Sequence, residues 1–149
     1  MTKTLLTLGA LTGDAWVLDS REVHSMQSVF VDRLYNETMV LLEDARDYAA
    51  VGEPRDRHQL SRSDACLLTI ESMRTTSRLV SVMAWVLARK AAEEEEAAAA
   101  AGHEPLMVND HHVAPIDDPG NVLPMRFVRI ARRAHDLFAR VHRIDQVHC

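Results

Sequence analysis

The chain has 149 residues, 47% hydrophobic and 26% charged, which suits one domain with a substantial core. A net charge of −5 argues against bulk nucleic-acid binding, and 5% aromatics with abundant alanine favour helices over sheets. No stretch reaches the ~18 uninterrupted apolar residues of a membrane span, and Cys66 and Cys149 form no metal-binding or CxxC spacing, so a reduced, cytoplasmic setting is expected.

Residues 1–18 are expected to be a flexible extension. Lys3 and the leucines behind it resemble a signal peptide only superficially, because threonines and Gly9 break the apolar run. A first helix is expected over about 19–51, opened by the capping-box spacing of Asp19 and Glu22 and stopped by Gly52, Glu53 and Pro54. Its apolar stripe is Phe30, Leu34, Leu41, Ala45 and Tyr48, widened by Val31, Tyr35, Leu42 and Ala49, with Asp32, Asn36, Glu43 and Asp47 opposite. Glu37 falls inside that stripe, where a carboxylate is costly unless paired, so an arginine or histidine from another helix is expected beside it.

Between Pro54 and Gly102 the chain runs 47 residues without glycine or proline. It reads as a polar connector, then a second helix over about 61–101 capped by Ser61 with Asp64, or by Ser63 alone. Such a helix would be roughly 60 Å long, against a diameter of about 40 Å for a compact domain of this length. The molecule is therefore expected to be elongated or to cover the rod with a second chain. Leu68, Leu79, Val86, Met83, Leu87, Val80, Met73, Ala84, Cys66 and Ile70 cover an arc of about 200°, which makes this the central helix, touching two neighbours. The remaining strip holds Glu71, Arg74, Arg78, Ser81 and Arg89, with Leu67 and Trp85 among them.

Residues 102–122, with three prolines and two glycines, form a long connection, either disordered or draped over the bundle. Pro124 opens a third helix over about 124–146. Phe127, Ile130, Ala131, Ala134, Leu137, Phe138, Val141 and Ile144 share one face of it, and Arg129, Arg132, Arg133, Asp136, Arg140 and Arg143 the other. The fold class is thus all-α, an elongated three-helix bundle over residues 19–149 with a long central helix.

Two surfaces are candidates for partner binding. The strip of Leu67, Arg74, Arg78 and Trp85 carries hot-spot residue types; the structural alternative packs Trp85 under the third helix and pairs Arg74 with Glu71. The arginine face of the third helix, Arg129, Arg132, Arg133, Arg140 and Arg143, suits an acidic protein better than DNA, since no helix-turn-helix spacing is present; a solvated face is the plain alternative. His103, His111 and His112 lack the converging ligands of a metal site. No phosphate loop, GxSxG or Cys/His nucleophile pattern occurs, so no catalysis, cofactor or metal is expected, and an enzyme built on Glu37 with a histidine is the weakest option.

Three blocks carry a family resemblance: LYNETMVLLEDARDY from Leu34, ESMRTTSRLVSVMAWVLARKA from Glu71 and LPMRFVRIARRAHDLFARVHRID from Leu123. Together they resemble the RcdA (regulator of CtrA degradation) family of alphaproteobacteria, catalogued as a domain of unknown function. Thr38 and Val40 depart from its usual choices, and this sequence stops at Cys149, where some members continue into a tail. The resemblance implies a homodimeric three-helix bundle without catalytic activity. It implies an adaptor that helps deliver CtrA-like cell-cycle regulators to the ClpXP protease, with that machinery and a response-regulator-type substrate or co-adaptor as protein partners. A DNA-associated regulator using the helix-three arginines is the alternative.

Overall fold

A computed structural model of the chain describes residues 20–94, 106 and 110–148. The expected extension 1–18, the alanine-rich end of the second helix and His103 lie outside them. The described residues are all-α. Three long helices, α1 (Ser20–Asp47), α3 (Arg62–Glu94) and α5 (Met125–His148), pack against one another pairwise, with short helices α2 (Glu53–Arg57) and α4 (Asp110–Val113) between them.

Gly52 and Pro54 do not stop the first helix where expected. The chain passes from α1 through a π-helical segment, Tyr48–Gly52, straight into α2, with the Glu53 N–H bonding to the Tyr48 carbonyl. The widened turn accommodates Pro54, which stands in the first turn of α2. Gly52 is needed for a different reason. The Tyr48 ring lies over it, so a Cβ at residue 52 would sit 2.5 Å from Tyr48 Cδ2. The helical path ends beyond Arg57, and Ser61 opens α3 as expected, its Oγ accepting from the Asp64 N–H at 3.2 Å.

Cross-helix contacts fix the directions. Asp32 of α1 meets Lys90 late in α3, whereas Tyr48 packs with Leu68 early in it, so α1 and α3 are antiparallel. Leu68 clusters with Phe127 and Trp85 bonds Asp145, so α3 and α5 run parallel. A parallel pair needs a connection that travels back along the bundle, which is why the 102–122 segment is long. Its described residues are draped on the helices: Leu106 is buried at the Trp85 end, His112 lies midway, and Ile116 and Leu123 reach the Phe127 end. The segment closes in a turn in which Asp118 Oδ1 accepts the N–H groups of Val122 and Leu123 at 2.8 and 3.2 Å and Asn121 takes a left-handed backbone (φ 50°).

The core has two parts. One joins Val31, Leu34 and Leu41 to Leu79, Val82, Trp85, Val86, Leu137, Phe138 and Val141. The other holds Tyr48, Leu68, Leu123, Phe127, Val128, Ile130 and Ala131. The stripe of α1 turns slightly from expectation: Val31, Leu34, Thr38, Leu41 and Tyr48 face inward, while Phe30 and Ala49 are exposed. Thr38 is tolerated in the core because its hydroxyl donates to the Leu34 carbonyl at 2.7 Å.

Candidate interaction surfaces

The central helix is turned differently from its expected facing. Along α3, Leu68, Glu71, Thr75, Arg78, Val82 and Trp85 form the buried row, spaced three and four apart. Cys66, Ile70, Met73, Ser77, Val80, Ala84, Leu87 and Ala91 form a second such row on the opposite face, and every one is exposed. Met73 and Val80 are 68% and 57% exposed. Six residues of the expected apolar arc therefore face outward, and three of the expected polar strip face inward.

Polar groups from distant parts of the chain decide the facing. The Trp85 indole N–H donates to Asp145 Oδ1 at 2.7 Å, and Asp145 Oδ2 accepts the Leu106 backbone N–H at 2.9 Å. Arg89 stacks over the Trp85 ring, 4.8 Å from its centre. Arg78, wholly buried, donates from Nε to the His112 carbonyl at 3.0 Å and from Nη2 to the Ala114 carbonyl at 2.5 Å. A guanidinium is drawn in because the draped connection brings carbonyls that would otherwise be buried without donors. Burial pulls the Arg78 guanidinium below the usual arginine range; Glu71 opposes that shift and Arg74 adds to it. At the other end of the core, burial, the hydrogen bond from its hydroxyl to Asp56 at 3.0 Å, and the charges of Asp56 and Glu53 push the Tyr48 phenol far above its ordinary range, against the opposing charge of Arg126.

The Leu67, Arg74, Arg78 and Trp85 strip is therefore corrected as a docking surface. Trp85 packs under α5, Arg78 is internal, Leu67 is half-buried against the lower core, and Arg74 is tied to Glu71 at 2.5 Å. The structure realises the alternative weighed for Trp85 and Arg74. Glu37 pairs with Arg140 of α5, so of the expected arginine or histidine partners an arginine is the one found.

Ser77 Oγ lies 2.6 Å from His112 Nε2. A hydroxyl against an imidazole is the pair from which nucleophilic catalysis is built. Here Ser77 sits in the middle of a helix, where its backbone N–H groups are consumed by the helical ladder and can supply no oxyanion site. The contact instead pins the connection to α3. Among the described residues no three His, Cys, Asp or Glu side chains converge as metal ligands, and no helix is long and apolar enough to cross a membrane.

Two concavities lie along the long helices. A groove of about 960 Å³ follows the outer row of α3 past Met73, Ser77, Val80 and Ala84, with Ala49, Glu53 and His112 on its banks. A second, of about 340 Å³, lies at the start of α5 between Met125, Arg126, Val128, Arg129, Arg132 and Arg133. Of the expected arginines, Arg133 pairs with Asp44 at 3.2 Å and Arg140 with Glu37, whereas Arg129, Arg132 and Arg143 are exposed. Arg126, Arg129, Arg132 and Arg143 have no ion pair or hydrogen bond to any described residue.

The outer row and Asp145 are what reading the sequence missed. The row is visible in hindsight as an alternation of three and four residues from Cys66 to Ala91 that stays apolar or small at every position. Asp145 carries no such signal, being one acid near the end of a charged helix.

Residues 22–148 match the profile of a family described as "Protein of unknown function (DUF1465)". Among solved structures, the crystal structure of RcdA from Caulobacter crescentus CB15 is similar, with a TM-score of 0.62 and 31% sequence identity. The match covers 78% of this chain and 88% of that one. No curated protein sequence matches significantly.

Proposed function

We infer, because this chain belongs to the DUF1465 family, that it is a non-catalytic dimeric adaptor of the RcdA kind, which helps deliver substrates such as CtrA-like cell-cycle regulators to the ClpXP protease. The observation that carries this reading is the shared fold with RcdA at 31% identity over 78% of the chain. The interior supports it: the polar groups drawn into the bundle bond the chain's own carbonyls and N–H groups, which builds a scaffold. Its partners on this reading are the protease machinery and a response-regulator-type substrate or co-adaptor, and its place is the cytoplasm.

The outer row of α3 supports the dimer in this reading. That row is about 37 Å long at helical rise. It is apolar or small at every position, and its flanks are Leu67, Thr69, Thr76, Ser81, Met83 and Ala88, with Arg74 and Lys90 already paired within the chain. A 3.5-residue repeat whose flanks carry only two charges, both paired within the chain, suits a second copy of the same helix, packed about a two-fold axis.

The test is reconstituted degradation. Purified ClpXP and a labelled CtrA-like receiver-domain substrate at limiting concentration are combined with and without this protein. Faster degradation with this protein present is expected. An unchanged rate across all adaptor concentrations, with no capture of either partner, refutes the adaptor reading.

A further inference from the structure

We propose that the concavity at the start of α5, walled by Arg126, Arg129, Arg132 and Arg133, is a docking site for a short acidic peptide segment carrying an apolar side chain next to its carboxylates. Arg129 stands three residues from Arg126 and Arg132 and four from Arg133, which makes it a neighbour of each on the helix surface, and the four arginines line one hollow of about 340 Å³. The chain holds 22 acidic against 17 basic residues. Yet Arg126, Arg129 and Arg132 bond no described residue, and only Arg133 is engaged, by Asp44. Unpaired arginines gathered in an acidic protein are a local positive spot. All four are arginine rather than lysine, and the planar fork of a guanidinium fits a carboxylate with two parallel hydrogen bonds.

The edges of the spot set the size of the ligand. Asp44 borders it on the α1 side, and Asp118 and Asp136 line the adjoining hollow that also holds Arg132. A long polyanion such as a DNA duplex would meet these carboxylates as it left the hollow; a few acidic residues would not. The apolar requirement comes from Met125, 76% exposed at the lip, and Val128, buried at the floor. The site adds a place of recognition to the adaptor reading. It rests on that reading only for what the segment belongs to, since peptide binding and protease delivery are separate measurements.

The experiment is fluorescence anisotropy on the full chain with a labelled peptide of alternating Asp and Glu interrupted by one Leu. Saturable binding is expected at low salt, together with no binding of the same peptide carrying Asn and Gln in place of the acids. Arg129→Glu combined with Arg132→Glu is expected to weaken binding by about tenfold or more, as loss of two charge-assisted pairs implies. Arg143→Glu, further along α5 and outside the hollow, should leave affinity within about threefold, the scale of a screened surface charge. Circular dichroism confirms that each variant is folded. Equal weakening by Arg143→Glu, equal binding of the amide peptide, or tighter binding of a short DNA duplex with a log-log salt slope of several units would each overturn the proposal.

Discussion

Val80→Glu separates folding from assembly. In a lone chain Val80 is 57% exposed, so the substitution touches no core contact and should change unfolding free energy by no more than about 0.5 kcal/mol, as for other surface sites. In a dimer sealed along the outer row of α3, the same change enters the seam twice. Ile70, Met73, Val80 and Leu87 leave roughly 100 Å² each of exposed apolar surface. Two copies would cover roughly 800 Å², a gross gain of about 20 kcal/mol at ~25 cal/mol per Å². Association costs of about 4–15 kcal/mol leave a modest net affinity, which two buried carboxylates cannot survive. Losing two valine contacts alone removes about 4 kcal/mol, roughly a thousandfold in Kd. Sedimentation velocity over a concentration series, with urea melts of both proteins in parallel, reads the two quantities. The expected result is a dimer for the unaltered chain and a monomer of near-normal stability for Val80→Glu. A variant that dimerises with unchanged affinity refutes the seam.

Asp145→Ala should cost about 3–5 kcal/mol, because it strips acceptors from two buried donors, the Trp85 indole and the Leu106 N–H; a shift in the urea midpoint worth less than ~1 kcal/mol would show that these bonds are replaced elsewhere. Gly52→Ala drives a methyl group into the Tyr48 ring and should destabilise by about 1–3 kcal/mol despite alanine's higher helix propensity, readable as a lower melting temperature. Tyr48 ionises in the unfolded chain near its ordinary value of 10.0 but resists ionisation when folded. Its contribution to stability is thus complete below that value and lost as pH rises through and beyond it, by up to ~1.4 kcal/mol per pH unit. Urea titrations between neutral and strongly alkaline pH should show a shallower alkaline decline for Tyr48→Phe, and identical slopes would contradict the assignment.

The three long helices were legible because each announces itself locally. Ser61 caps α3 through its own hydroxyl, and Phe127, Ala131, Ala134, Phe138 and Val141 repeat with helical spacing on α5. That α3 contacts both other long helices was legible, although six of the ten residues in its expected apolar arc face outward. Its facing was not. Hydrophobicity favours the outer row, apolar or small throughout, over the buried one, which holds Glu71, Thr75 and Arg78. The choice falls to Asp145, sixty positions from Trp85, and to the carbonyls of His112 and Ala114, more than thirty from Arg78. Such pairings leave no local mark. Gly52 and Pro54 misled for the converse reason: they carry a strong local stop signal, which one wide turn and the ring of Tyr48 override.

That wide turn also protects the angular phase of everything after it. A π-turn absorbs one residue more than an ordinary helical turn of about the same sweep, so removing one residue between Tyr48 and Gly52 would restore an ordinary helix with α2 facing nearly as before. Asp56 would stay near the Tyr48 hydroxyl, and Arg57 near Thr69, which it now reaches at 3.0 Å. The corner between the first two long helices is therefore a shim, taking up a spare residue without turning the polar latch that holds it shut.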